Sequence, residues 1–338
     1  MAVFFRNGQP RRDLGLVPGA RTTGGDALPP VRLDSDSELG PCYSHGFREQ
    51  DTATYLADLH RRSAQARFVN AIGNQAMQDA DDRAHDRAIQ DQFTRQAPRF
   101  AQSNALHADD VLEIIVSAAA VGPGDRAIDL ACGPGSVACA LAQCGAHVVG
   151  LDATAAMLDQ ARIRAAKLGL SEIDWQCGSV YAPPFSDATF DAVTCRFAFH
   201  HLEDPPSAFR QMVRLAAPGA RVVLCDGLAS DEPAKAKAFN DMERWRDPST
   251  VAFRTFGYLR SLFLDAGLGE PAVRRFGVTY SASSLIAGSF PQDGDRQGLL
   301  RLIENSVATD ALGMDAQHAA GDVTLTYRSA VLSAVVRV

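Results

Sequence analysis

The residues best placed to do chemistry lie in the stretch AIDLACGPGSVACALA, residues 127–142. Gly133, Gly135 and Ala138 satisfy G-x-G-x-x-G/A, a turn whose backbone N–H groups approach a phosphate or ribose at the start of a helix. Taken alone, that pattern points to a nicotinamide or flavin dinucleotide. Asp129, four residues before Gly133, points elsewhere, because its carboxylate repels a pyrophosphate and attracts a ligand carrying an ammonium group. Asp152 stands 17 residues after Gly135, at the end of an apolar run. A carboxylate there accepts hydrogen bonds from two ribose hydroxyls and fits either ligand.

For these groups to converge, the chain must bring them to the carboxyl ends of neighbouring strands. From Val111 the pattern does so. VLEIIVSAAAV reads as an apolar helix ended by Gly122-Pro123-Gly124, and RAIDLA as a short buried strand entering the glycine turn. A helix follows through Ala142 and stops near Gly145. AHVVGLD, IDWQCG, FDAVTCRFAF and RVVLCDG read as the next four strands, with helices at AAMLDQARIRAAKL and PSAFRQMVRLA and a turn at Pro218-Gly219. Strands alternating with helices at this spacing predict a parallel, doubly wound sheet. Beyond Gly227, AKAKAFNDMERWRDPS reads as a charged surface helix and FGYLRSLFLDAGL as an amphipathic helix ended by Gly267. AVRRFGVTYS and the β-branched tail DVTLTYRSAVLSAVVRV read as the last strands.

Upstream, residues 1 to about 40 are rich in Gly, Pro, Arg and Asp without a period, the composition of a disordered segment. The texture changes at Met77, where a strongly charged helical stretch begins. The expected organisation is a dispensable extension over 1–76 and a domain over 77–338. Within the domain, lid helices occupy 77–120, a cofactor-binding core 121–227, and a substrate-side and C-terminal sheet region 228–338.

DLACGPGSVACALA, VVGLD, WQCGSVYAPPF, FDAVTCRFAFHHL, MVRLAAPGARVVLCD and LRSLFLDAGL, in this order, resemble the class I S-adenosylmethionine-dependent methyltransferases. The likeness is to the type 11 group, which includes the ubiquinone and menaquinone biosynthesis C-methyltransferases, and it is densest between Asp125 and Gly227. The resemblance implies a Rossmann-like seven-stranded sheet with an antiparallel last strand, a helical N-terminal lid, and S-adenosyl-L-methionine as cofactor. It places Asp129 near the methionine amino group, lets Ala131, Gly133 and Gly135 bring backbone to the methionine and ribose, and gives Asp152 the ribose hydroxyls. Ala153 and Met157 would cover the adenine, the Arg196 backbone would face the amino group, and Ser179 and Val180 would follow the third strand. Ser179 departs from the family, which usually has an aspartate there to accept from the adenine amino group. A serine oxygen accepts the same bond without charge assistance.

Methyl transfer from a sulfonium needs an aligned nucleophile and a place for its proton. His200 and His201, after the fourth strand, are candidate bases; the alternative is that His200 packs in the loop and His201 caps or contacts the helix beginning near Pro206. His107, Phe93, Phe100, Phe197, Phe199 and Tyr258 are candidate substrate contacts, with core packing or solvation as the competing role. Glu243, Arg244 and Arg246 read as a solvated charged face.

The expected activity is metal-independent methyl transfer to a small aromatic or quinone-like molecule. A nicotinamide oxidoreductase is disfavoured by Asp129 and the later motifs, and a member repurposed for another role is supported by Ser179 alone. A net charge of -7 gives no general attraction to nucleic acid or anionic membrane, and no apolar run is long enough to span a bilayer. Seven cysteines, an odd count without a C-x-x-C pair, argue against a disulfide framework or a zinc site and read as reduced, mostly buried thiols of a cytoplasmic protein. Neither the acceptor nor the oligomeric state is legible.

Overall fold

Strand β1 (Arg126–Leu130) buries four of its five residues, as a strand must when a sheet is covered on both faces. The computed structural model of the chain, which describes residues 92–95, 109–291 and 293–337, places it between β2 (His147–Asp152) and β4 (Phe190–Arg196). The sheet runs β3, β2, β1, β4, β5, β8, β6, with β3 at Ile173–Cys177, β5 at Ala216–Gly227, β6 at Ala272–Ser281 and β8 at Asp322–Val335. Strands β1 to β5 pair in parallel, while β8 is antiparallel to both β5 and β6. This is the seven-stranded, doubly wound sheet that the resemblance implies. A short additional strand, β7 (Gln317–Ala319), pairs with β8 as well.

Helices cover both faces of the sheet. On one face α1 (Asp109–Ala119) and α2 (Ser136–Gln143) bury Val111, Ile115, Val137 and Leu141 against Ala127, Val148 and Val223. On the other, α4 (Pro205–Leu215) and α6 (Phe256–Asp265) bury Phe209, Met212, Leu262 and Phe263 against Ile128, Val193 and Leu224. Helix α3 (Ala155–Lys167) joins β2 to β3, and α5 (Pro233–Arg246) follows β5. Asp204 starts α4 by accepting from the Ser207 N–H at 2.9 Å, so His201 does not cap that helix.

The region after Gly227 holds more structure than its sequence suggests. Gly227, the last residue of β5, pairs with Ser329, yet β8 begins seven residues earlier and stays paired with β6 as far as Thr324. The β6–β8 ribbon therefore rises past the carboxyl end of β5. Against it pack α5, α7 (Ala282–Ala287) and α8 (Arg296–Ser306), burying Phe239, Met242, Phe253, Ile286, Leu299 and Ile303 with Val323 and Leu325. This third core forms a cap on the side of the sheet where strands β1 to β5 end.

Two sequence expectations need correction. Pro218 and Gly219 do not separate α4 from a strand but lie within β5, where the β4 register slips between Phe190 and Ala192 and Gly219 takes φ +86°. The slip absorbs the turn without ending the strand. Glu243 is not solvated: it is fully buried, receives Arg246 through two bonds of 2.9 and 2.7 Å, and accepts from the Tyr327 hydroxyl. Only Arg244, paired with Asp241 at 2.6 Å, behaves as the solvated face predicts.

The expectations for residues 1–76, for most of the lid, and for Phe100 and His107 lie outside the described residues. The six described cysteines are free, and no described helix is long and apolar enough to cross a membrane.

Candidate active site

The glycine turn is held from three directions. Cys132 N–H donates to Leu151 O at 3.0 Å, extending the β1–β2 pairing past the strand. Arg164 of α3 donates to Pro134 O at 3.1 Å. Asp152 accepts from Gly133 N–H and Thr154 N–H, both at 2.8 Å, tying the turn to the start of α3. Ala131, Gly133 and Gly135 all take positive φ, at +52°, +52° and +77°. Such backbone persists in a non-glycine residue only where its surroundings enforce it, and it concentrates at binding sites. Phe197, just past the end of β4, is a second case at +51°.

The two glycines differ in what surrounds them. A Cβ at Gly135 would lie 2.7 Å from the Trp175 ring and 2.9 Å from Ala161 Cβ, so this glycine lets the turn pack on β3 and α3. A Cβ at Gly133 would meet nothing within 4 Å, leaving the backbone there open to a ligand.

Asp129 is almost fully buried and accepts from Thr194 Oγ1 at 2.8 Å. Burial pushes its carboxyl up to about 7, opposed by the Thr194 bond and by the Arg196 guanidinium. A carboxylate so poorly solvated gains from a cation brought beside it. Asp152 is also raised, again by burial, with the Thr154 and Gly133 N–H groups favouring its ionised form. The two backbone donors and the Thr154 side chain use part of its acceptor capacity, and a carboxylate has about four lone-pair directions. The open cradle, the desolvated Asp129 and the remaining acceptors of Asp152 fit an adenosyl ligand with an ammonium group.

The other expected contacts differ in exposure and partners. Ala153 is exposed, Met157 is buried, and Val180 packs against the main core. Ser179 Oγ accepts from the Tyr181 N–H at 3.2 Å, so part of its acceptor capacity is spent on its own loop. Phe199 is 1% exposed and belongs to the core. Tyr258 lies in the first turn of α6 against that core, with the Arg254 guanidinium 5.2 Å from its ring, and is not drawn toward the histidines by any contact among the described residues.

His200 and His201 form a short 3₁₀ turn with Phe199 beyond β4. Their rings lie 4.1 Å apart. Phe253 of the cap stacks on His200 at 4.1 Å, and Phe93 meets the His201 ring edge-on at 4.9 Å. Phe197 and Phe276 sit 6.5 Å apart beside the core under α1 and α2, and Tyr280 and Tyr327 5.4 Å apart, Tyr327 against the cap core. Gln92 Nε2 and Thr250 Oγ1 are buried without a hydrogen-bond partner. Asp226, at the end of β5, bonds His200 Nδ1 at 2.7 Å. Sequence reasoning missed it because an aspartate ending a buried strand carries no local sign of a partner 26 residues away.

A groove of about 500 Å³ beside α1, lined by Glu113, Ser117, Arg221 and Arg274, lies toward the amino end of β5 and contains none of these groups.

Residues 128–224 match the model of a methyltransferase domain family. The uncharacterized methyltransferase YcgJ of Bacillus subtilis is 26% identical over 62% of this chain and 83% of its own length. A 2-phytyl-1,4-naphtoquinone methyltransferase of Synechococcus elongatus is 36% identical over 39% of this chain and 59% of its own. A demethylmenaquinone methyltransferase of Clavibacter sepedonicus is 31% identical over 47% and 66%. The chain thus spans less than two thirds of either quinone-related relative. Among solved structures, YcgJ has the same fold (TM-score 0.61, 23% identity, 68% of this chain and 99% of that one), as does a Bacillus halodurans C-125 protein (TM-score 0.62, 25% identity, 68% and 100%).

Proposed function

The chain belongs to the class I S-adenosylmethionine-dependent methyltransferases, and from that premise we propose that it methylates a flat, largely apolar acceptor of the quinol, phenol or heteroaromatic kind without a metal. The observation that carries the acceptor class is the ring cluster beyond β4 and β5, in which Phe253 stacks on His200 and Phe93 meets His201 edge-on. Such rings bury a flat apolar molecule at little conformational cost. The two quinone-related relatives, a 2-phytyl-1,4-naphtoquinone methyltransferase and a demethylmenaquinone methyltransferase, support the same class.

When bound, the cofactor supplies an electrophilic methyl group on a sulfonium. The chain's own residues hold and orient it: Asp129 faces the ammonium, the Gly133 backbone leaves room for the methionine and ribose, and Asp152 accepts from the ribose hydroxyls. Ser179 stands by the adenine with less acceptor strength than a carboxylate.

The test is incubation with S-adenosylmethionine and a panel of 1,4-naphthoquinol, simple phenols and aliphatic amines, following S-adenosylhomocysteine release. Turnover is expected on the aromatic members and is expected to survive chelation. Loss of activity with chelator and recovery with a divalent cation would sink the metal-free reading, and exclusive turnover of amines would sink the acceptor class.

Asp129 sets a pH dependence. Its carboxyl titrates near 7 in the free fold, so below that pH it is neutral and attracts the ammonium less. Affinity for S-adenosylhomocysteine should rise between pH 5 and 7 by up to about tenfold per unit, since one pKa unit is about 1.4 kcal/mol. Asp129→Asn should flatten the profile. The free protein should move the other way: the folded state holds this proton between about pH 4 and 7 while the unfolded chain has lost it, so stability falls as pH rises through that window. Calorimetric titrations at four pH values check the first trend, and equally flat native and variant profiles would remove the ammonium from Asp129.

A further inference from the structure

We propose that His200 Nε2 takes the proton of the methyl acceptor and that Asp226 is the residue that positions it for this, an inference that rests on the methyltransferase reading above. His200 is fixed on every side but one. Its Nδ1 meets Asp226 Oδ1 at 2.7 Å, its face stacks on Phe253 with 12° between the planes, and its edge abuts the His201 ring. Its backbone carbonyl accepts from Val251 N–H at 2.9 Å and Ala252 N–H at 3.0 Å. Among the described residues nothing hydrogen-bonds Nε2.

The carboxylate decides the tautomer. Asp226 is 1% exposed and its Oδ1 also accepts from Gly227 N–H at 2.8 Å, so it meets the imidazole as an acceptor and Nδ1 must donate. The lone pair is then on Nε2, facing away from β5. A buried carboxylate behind Nδ1 also stabilises the imidazolium that forms when Nε2 takes a proton.

His201 is built for a different task. Its Nδ1 lies 3.0 Å from the Ser249 carbonyl, and burial, followed by the neighbouring His200, pushes it down to about 3. It stays neutral at physiological pH and walls the site. The titratable groups around His200 are Asp226 from β5, His201 beside it, Asp247 from the segment after α5, and, behind Phe253, Tyr327 with the Glu243–Arg246 pair. Asp226 alone among them bonds the His200 ring.

In the step itself, an acceptor X–H gives its proton to Nε2 while the electron pair of X forms a bond to the methyl carbon. The pair of the breaking carbon–sulfur bond stays on sulfur, yielding S-adenosylhomocysteine and X–CH₃. His200 then returns the proton to water.

The experiment uses the full chain with ¹⁵N-labelled histidine and S-adenosylhomocysteine bound. Imidazole ¹⁵N spectra should show His200 as the Nδ1–H tautomer above neutral pH and His201 neutral throughout. Adding 1,4-naphthoquinol should move the Nε2 resonance of His200. Asp226→Asn should erase the tautomer preference, cut kcat more than it changes KM for 1,4-naphthoquinol, and shift the acid limb of the rate profile to lower pH. His200→Gln should lower turnover by about 10²–10⁴-fold, the usual contribution of a general base, with S-adenosylhomocysteine affinity retained as the check on folding. An Nε2–H tautomer in the native protein, or unchanged turnover in folded His200→Gln, overturns the dyad while leaving the methyltransferase reading intact. A native chain that binds no S-adenosylhomocysteine overturns both.

Discussion

Asp152→Ala is expected to weaken S-adenosylhomocysteine binding by at least about 100-fold in a protein that still folds. Two losses add. The ribose hydroxyls lose charge-assisted acceptors worth roughly 1.5–3 kcal/mol each. In addition, Gly133 N–H and Thr154 N–H lose the carboxylate that holds them at 2.8 Å, at about 1–3 kcal/mol for each donor left buried and unpaired. The second loss loosens the turn before any ligand arrives. Asp152→Asn separates the two, because its single carbonyl oxygen satisfies one backbone donor while its amide opposes the other. An intermediate affinity is therefore expected for Asn. Calorimetry on both variants, with thermal melts as the folding control, reads the result, and native affinity in folded Asp152→Ala would falsify the placement of the ribose.

The turn and its flanking strands were legible because their signals are local. RAIDL is a short, mostly apolar run leading into the glycine turn and HVVGLD an apolar run ended by aspartate, and the parallel pairing, though not the strand order, follows from alternation with helices. The cap was not. Helix α7 has six residues, too few for a helical period to show, and α8 takes its burial from β8 and α5, elements distant in sequence. Glu243 illustrates the limit. Within NDMERWR it is one charge among several, and only the arrival of Tyr327, 84 residues later, makes it a buried acceptor. Asp226 fails to announce itself for the same reason: its partner lies on the preceding strand's exit loop. The histidine pair was visible as a pair, but the division of labour between its two rings depends on which neighbour meets each Nδ1, and those neighbours are 26 and 48 residues away.

Gly133 and Gly135 offer the sharpest division between holding a ligand and holding the fold, although the sequence pattern treats them alike. Gly135→Ala puts a methyl group within 3 Å of Trp175 and Ala161 while φ stays at +77°. Left-handed backbone costs a side chain roughly 1–2 kcal/mol, and overpacking adds about 1–3 kcal/mol. The sum predicts a fall in Tm on the order of 10 °C, with cofactor affinity lost as a consequence of the disturbed turn. Gly133→Ala meets no atom within 4 Å, so only the backbone term of about 1–2 kcal/mol remains and Tm should drop by just a few degrees. Its methyl group instead fills space the ligand needs, and S-adenosylhomocysteine affinity should fall by roughly 10–100-fold, the equivalent of about 1–3 kcal/mol of steric conflict. The paired measurement is Tm and calorimetric affinity on both variants. If Gly133→Ala binds like the native chain, the open side of the turn does not face the cofactor. Should Gly135→Ala keep its Tm and lose only affinity, the contact with Trp175 is not what that glycine serves.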